Sequence, residues 1–98
     1  MAHFEETQRM TIPSGGNHVR EALFIINKQS NERILVVGSN ISIRNITDPD
    51  KHFAIYQYNI NDIGNQIQFG ITAQKIGEGK SSKDEVNCTF KLDYELTS

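Results

Sequence analysis

The stretch Val86–Leu96 constrains the chain most. Val86, Cys88, Phe90, Leu92, Tyr94 and Leu96 are apolar or aromatic, and Asn87, Thr89, Lys91, Asp93 and Glu95 between them are polar. A strand points successive side chains to opposite faces, so this spacing makes one dry face and one wet face. At about 3.3 Å per residue such a strand is roughly 36 Å long. A helix would scatter the same residues around its circumference. The dry face requires a second layer, which the rest of the chain must supply.

Gln66–Ile76 repeats the pattern. Ile67, Phe69, Ile71 and Ala73 fall on one face and Gln66, Gln68, Thr72 and Gln74 on the other. Gly70 within it marks a bend or a close backbone approach. His52–Ile60 carries Phe53, Ile55, Tyr56 and Tyr58 on both faces, which predicts a central strand or one at a contact between layers. Arg33–Gly38 is an apolar run. Gly38-Ser39-Asn40 reads as a turn or bulge before Ile41, Ile43 and Ile46, whose phase slips by one.

Thr7–Ile12 predicts a short first strand stopped by Pro13-Ser14-Gly15-Gly16-Asn17, and residues 1–6 read as a tail. His18–Lys28 admits two readings. Val19, Ala22, Leu23 and Ile26 recur at helical spacing behind a capping Asn17, whereas Leu23-Phe24-Ile25-Ile26 is a continuous strand-forming run. The polar segment 27–32 and the apolar run after it favour a strand, paired with 33–38 in a hairpin. About seven strands with frequent turns predict an all-β, single-domain antiparallel sandwich or small barrel spanning residues 1–98. The alternative is an α+β fold with one helix at 18–28. Paired cysteines and a core tryptophan are absent, against an immunoglobulin domain.

The chain has 98 residues, enough for one core. Lys and Arg number 10 against 12 Asp and Glu, so no basic surface favours nucleic acid or an acidic membrane. One cysteine precludes an intrachain disulfide, and Cys88 falls on a dry face as a small buried hydrophobe. No apolar run approaches the roughly 18 residues of a membrane helix. The N-terminus lacks the basic start and apolar core of a secretory signal, so the expected setting is cytoplasmic. Asn40, Asn45 and Asn87 each begin an Asn-x-Ser/Thr triplet, and the wet-face Asn87 is the best placed of the three for a glycan.

Candidate chemistry is sparse. Gly79-Lys80-Ser81 resembles the end of a phosphate-binding loop, but Gln74 stands where the first glycine belongs and a strand follows instead of a helix. Asn59, Asn61 and Asp62 do not make a calcium loop, because Asp62 is out of phase with the alternate ligand positions and no glutamate closes the loop. His3, His18 and His52 have no mutual spacing that aims two imidazoles at one metal. No cofactor or metal is implied, and no Gly-x-Ser-x-Gly elbow occurs. The best local acid/base cluster is Asp48, Asp50 and His52, although turn formation by Asp-Pro-Asp explains the aspartates without chemistry. Tyr56 and Tyr58 share one face of their strand by alternation; core packing is the plainest account of them, followed by a protein interface, which exposed tyrosines anchor, and then by base stacking.

These features favour a non-catalytic module acting by protein–protein contacts, with another protein or as a homo-oligomer. Inhibitor, immunity and assembly proteins have this size. Asp48, Asp50, His52, Tyr56 and Tyr58 are its candidate contact residues. The alternative is a small-molecule binder or simple enzyme whose pocket the same residues line.

Overall fold

A computed structural model describes residues 1–13, 18–50, 53–75 and 83–98. Six strands follow in order: β1 Ala2–Ile12, β2 Val19–Asn27, β3 Arg33–Asn45, β4 Phe53–Asp62, β5 Gln66–Lys75 and β6 Asp84–Thr97. They form two antiparallel three-stranded sheets, β1-β6-β3 and β2-β5-β4. The result is an all-β sandwich measuring 50 × 21 × 16 Å. Among the described residues no helix is long and apolar enough to cross a membrane.

The two cleanest alternating stretches are the two central strands. Ile67, Phe69, Ile71 and Ala73 of β5 and Val86, Cys88, Phe90 and Leu92 of β6 are all 0% exposed. Each central strand has a neighbour on both sides and a sheet across its inner face, so its inner-face residues are sealed from water. Phe90 is the hub of the core. Its ring centroid lies 5.1 Å from Phe69, 5.4 Å from Phe24, 5.9 Å from Phe4 and 6.2 Å from Tyr58. Tilted aromatic pairs at such separations contribute about 0.5–1.5 kcal/mol each beyond area burial.

Four sequence expectations need correction. Residues 1–6 are not a tail. Ala2 pairs with Tyr94, and Phe4 packs on the core from the first half of β1. Glu6 and Gln8 interrupt the apolar inner face of β1 because they lie at the sheet's free edge, where Gln8 Nε2 donates to Leu23 O of β2. The segments 33–38 and 41–46 are one strand. Of the turn or bulge expected at Gly38-Ser39-Asn40 the chain has the bulge, between Val36 and Gly38, so the strand continues and six strands result instead of seven.

The run 18–28 is a strand, not a helix, but it makes no hairpin with β3. β2 pairs with β5 and β3 pairs with β6, so the loop between them crosses from one sheet to the other. Five residues at about 3.3 Å each span the roughly 10 Å between packed sheets. β5 and β6 likewise belong to different sheets. Gly79-Lys80-Ser81 lies outside the described residues.

Finally, β4 is an edge strand, not a central one. It carries apolar groups on both faces because a bulge between Ile55 and Gln57 shifts its register.

The crossover after β2 is fixed by Lys28, whose side chain is 1% exposed. Its Nζ donates to Gly64 O at 2.7 Å, Glu32 O at 2.9 Å and Gln29 O at 3.2 Å. Asp62 Oδ1 stands 3.2 Å away. Lys28 N donates to Asn65 O. One buried ammonium thus ties the β2–β3 crossover to the turn between β4 and β5.

Candidate functional site

The two lateral sides of the sandwich differ. On one side β1 meets β2, and the Gln8 side chain bridges the two edges. On the other side β3 and β4 come near each other without sharing a ladder. Inner-face positions of β4 therefore reach the surface. By register Ile55 lies opposite Ala73, Tyr58 opposite Ile71 and Ile60 opposite Phe69, all buried partners. Yet Ile55, Tyr58 and Ile60 are 48%, 38% and 53% exposed. Ile41 and Ile43 on β3, half-buried against the core, form the other wall of this open seam.

The Tyr58 ring joins the core stack. It lies 6.4 Å from Phe69 at an interplanar angle of 19°. Partial burial pushes its phenol above the ordinary value of 10.0. Tyr56 behaves differently. It is the extra residue of the bulge and is exposed. The bulge therefore breaks the common face that strict alternation assigns to Tyr56 and Tyr58.

Asp48 and Asp50 belong to the turn after β3. Asp48 N donates to Asn45 Oδ1 at 2.9 Å, and Asp50 N donates to Asp48 Oδ1 at 3.2 Å. These bonds hold the turn in the manner expected of Asn and Asp. Asn45 is 3% exposed, which removes it as a glycan acceptor, whereas Asn40 is exposed and Asn87 half-buried. His52 lies outside the described residues. The structure thus brings Tyr58 to the seam, leaves Tyr56 exposed on the bulge of β4 and puts Asp48 and Asp50 in a turn. Ile55 and Ile60 are the seam residues that the sequence-based selection missed. The signal was the edge position of β4, which alternation alone does not encode.

Three surface grooves of about 450, 300 and 420 Å³ lie elsewhere. Asp48, Asp50, Tyr56 and Tyr58 line none of these three. The first is formed by Met1, Ala2, Tyr94, Glu95 and Leu96. The second includes His3, whose Nδ1–H donates to Asp93 Oδ1 at 2.7 Å. That bond, followed by the weaker one to Glu5, raises the imidazole above its ordinary 6.5. Among the described residues no group of three His, Cys, Asp or Glu side chains comes together to hold a metal ion. The Cys88 thiol is buried, which raises it to about 11 and leaves it a poor nucleophile.

Fold and seam together define an antiparallel β-sandwich with one bridged side and one open side. Comparison with protein-family models, curated proteins and solved structures finds no match to this chain.

Proposed function

We propose that the chain is a non-catalytic binding module that acts through protein–protein contacts at the β4 edge. One observation carries this reading. Ile55, Tyr58 and Ile60 belong to the inner face of a sandwich, yet 48%, 38% and 53% of each is exposed at the seam. Exposed aromatic and aliphatic groups beside an unpaired strand edge are what strand addition uses: the backbone supplies affinity and alternate side chains supply specificity. Tyr56 on the bulge and Ile63 at the turn are further exposed apolar groups of this hairpin. A cytoplasmic setting belongs to the same reading, since the one cysteine is a buried free thiol.

The test is native mass spectrometry on protein purified gently from its own cells, with wild type beside Ile60→Lys. The expected result is a second protein mass on the wild type, a copy of the chain or another protein, that Ile60→Lys loses. A protein partner retained by Ile60→Lys would place the contact elsewhere. An added mass of a few hundred daltons, lost on denaturation, would favour the small-molecule alternative.

A further inference from the structure

The partner at this edge follows from the backbone geometry of β4, given the reading that the edge is a contact surface. Ile63 N–H donates to Gln66 O across the β4–β5 turn, which makes these two a hydrogen-bonded pair. Antiparallel ladders alternate hydrogen-bonded and non-bonded pairs. Asn61 and Asn59 therefore point their backbone groups at β5. Tyr58, Ile60 and Asp62 point theirs outward, at the free edge. The register between β4 and β5 runs without a shift from Gln57 to Asp62, so the outward groups form a regular template.

Chemistry narrows the occupant. Phe53–Asn61 holds no charged residue, and Asp62, the one charge on β4, lies beside Lys28. Among the other edge strands, β1 carries Glu5, Glu6 and Arg9 and β2 carries Arg20 and Glu21, whereas β3 holds its charges, Arg33 and Arg44, at its ends and has a bulge between Val36 and Gly38 in its uncharged middle. A strand without charge repels neither itself nor its copy.

We infer that the occupant of the β4 edge is β4 of a second copy, paired antiparallel about a two-fold axis through Asn59. In that register Tyr58 of one copy stands opposite Ile60 of the other, and both present outward backbone groups, so they exchange two hydrogen bonds. Asn59 meets Asn59 and Gln57 meets Asn61, which matches amide with amide on the outer face. The neighbouring registers fit worse. A shift of one residue sets Tyr58 against an outer-face Asn. Centring on Ile60 sets Tyr58 against Asp62, and centring on Tyr58 runs Ile60 into the bulge at Tyr56. The axis stands normal to the sheet, so inner faces stay on one side and the assembly carries a continuous sheet β2-β5-β4-β4-β5-β2. The contact is isologous, as two-fold interfaces are. One short strand pair buries a small area, so the dimer is weak and dissociates on dilution.

Two measurements test this on the full chain. The first is sedimentation velocity over a dilution series. It should show a monomer–dimer equilibrium in the wild type and a monomer throughout in Ile60→Lys, with circular dichroism unchanged between them. The second is air oxidation of Asn59→Cys. Asn59 faces its copy in a non-bonded pair, where Cα atoms lie about 4.5 Å apart and a disulfide can close. The buried Cys88 does not compete. Asn59→Cys should give a covalent dimer and Asn61→Cys alone should not, whereas a mixture of Gln57→Cys and Asn61→Cys chains should cross-link. A wild type that stays monomeric at every concentration would overturn self-pairing. So would Asn61→Cys chains joining as readily as Asn59→Cys. If a different protein is still captured from cells and lost in Ile60→Lys, the edge remains a contact surface and only the self-pairing falls.

Discussion

Replacing Lys28 by methionine removes the ammonium but keeps most of the side-chain volume, which isolates its hydrogen bonds. The Nζ lies within 3.2 Å of three carbonyl oxygens and of the Asp62 carboxylate. These acceptors are not equivalent. Gln29 O sits where water replaces the lost donor. Gly64 O and Glu32 O are partly buried and lose their Nζ partner. A carbonyl stranded in this way costs about 1.5 kcal/mol, and two of them cost about 3 kcal/mol. Asp62, with 49% of its side chain exposed, reaches water and adds little. For a domain near this size, 1 kcal/mol moves the thermal midpoint by at least about 4 °C, so the melting temperature should fall by about 12 °C or more.

Urea denaturation and calorimetry of Lys28→Met measure the loss directly. Two companions identify its origin. Lys28→Arg keeps the charge but replaces three freely directed donors with a planar fork, and should recover little of the stability. Asp62→Asn keeps the carbonyl bonds and should cost much less than Lys28→Met. A loss below about 1 kcal/mol in Lys28→Met would refute the carbonyl cradle. So would equal losses in Lys28→Met and Asp62→Asn, which would assign the effect to the ion pair.

Gly64 has φ = 101°, whereas an added Cβ at Gly70 would meet only the tip of the Glu21 side chain, at 3.2 Å. Gly64→Ala should therefore destabilise by at least about 1 kcal/mol, and Gly70→Ala should be near neutral as Glu21 swings aside; urea midpoints decide both. The Cys88 thiol, buried and raised to about 11, should stay unreactive toward a thiol reagent in native buffer and react fully in denaturant. NMR titration should place His3 above 6.5, and Asp93→Asn should bring it down. Because folding raises this pKa, the stability His3 contributes is complete below pH 6.5 and disappears as pH rises through the folded value.

Alternation reports how completely a strand is covered, which explains what was legible in the sequence. β5 and β6 were read with their faces correct because each is flanked on both sides and covered by the opposite sheet, which keeps every inner position from Ile67 to Ala73 and from Val86 to Leu92 apolar. Edge strands relax this pattern. Glu6 and Gln8 occupy inner positions of β1 because their tips reach the sheet's rim, so the first half of β1 resembled a tail. Gly38 sits just past the bulge of β3, and Gly38-Ser39-Asn40 alone did not say whether the chain bulges or turns there. β4 looked central because Tyr56, displaced by the bulge, added an aromatic to what alternation made a second apolar face. Pairing was not legible at all. A period of two says which face is dry but not which strand lies alongside, and β2 was given to β3 because they are close in sequence. Lys28 was equally hidden. A lysine in a polar loop is normally solvated, and its acceptor Gly64 O lies 36 residues away. Tyr58 was found at the seam because a tyrosine draws attention anywhere, whereas Ile60 needs the edge position of β4 to be known first.

The pairing scheme has a kinetic consequence. β1 pairs with β6 and β2 with β5, so partners nest around the middle of the chain. β1–β2, β2–β3, β3–β4 and β5–β6 all change sheet, and β4–β5 is the one local hairpin. That hairpin turns on Gly64-Asn65, with positive φ at Gly64 alone, the arrangement of a type II′ turn. Asp62 Oδ1 accepts from Gly64 N at 2.9 Å and sets the turn before any distant contact exists. Every other ladder waits on loop closure, up to the pairing of Ala2 with Tyr94. Refolding should therefore fall in the slow regime of non-local β proteins, roughly milliseconds to seconds. Its transition state should contain the β4–β5 hairpin and lack the β1–β6 ladder. In stopped-flow chevrons, Gly64→Ala should slow folding and leave unfolding nearly unchanged. Phe4→Leu, which thins the contact of β1 with Phe24 and Phe90, should mainly speed unfolding. The opposite partition would mean that the chain ends meet first and the turn forms late, and the local hairpin would then have no part in starting the fold.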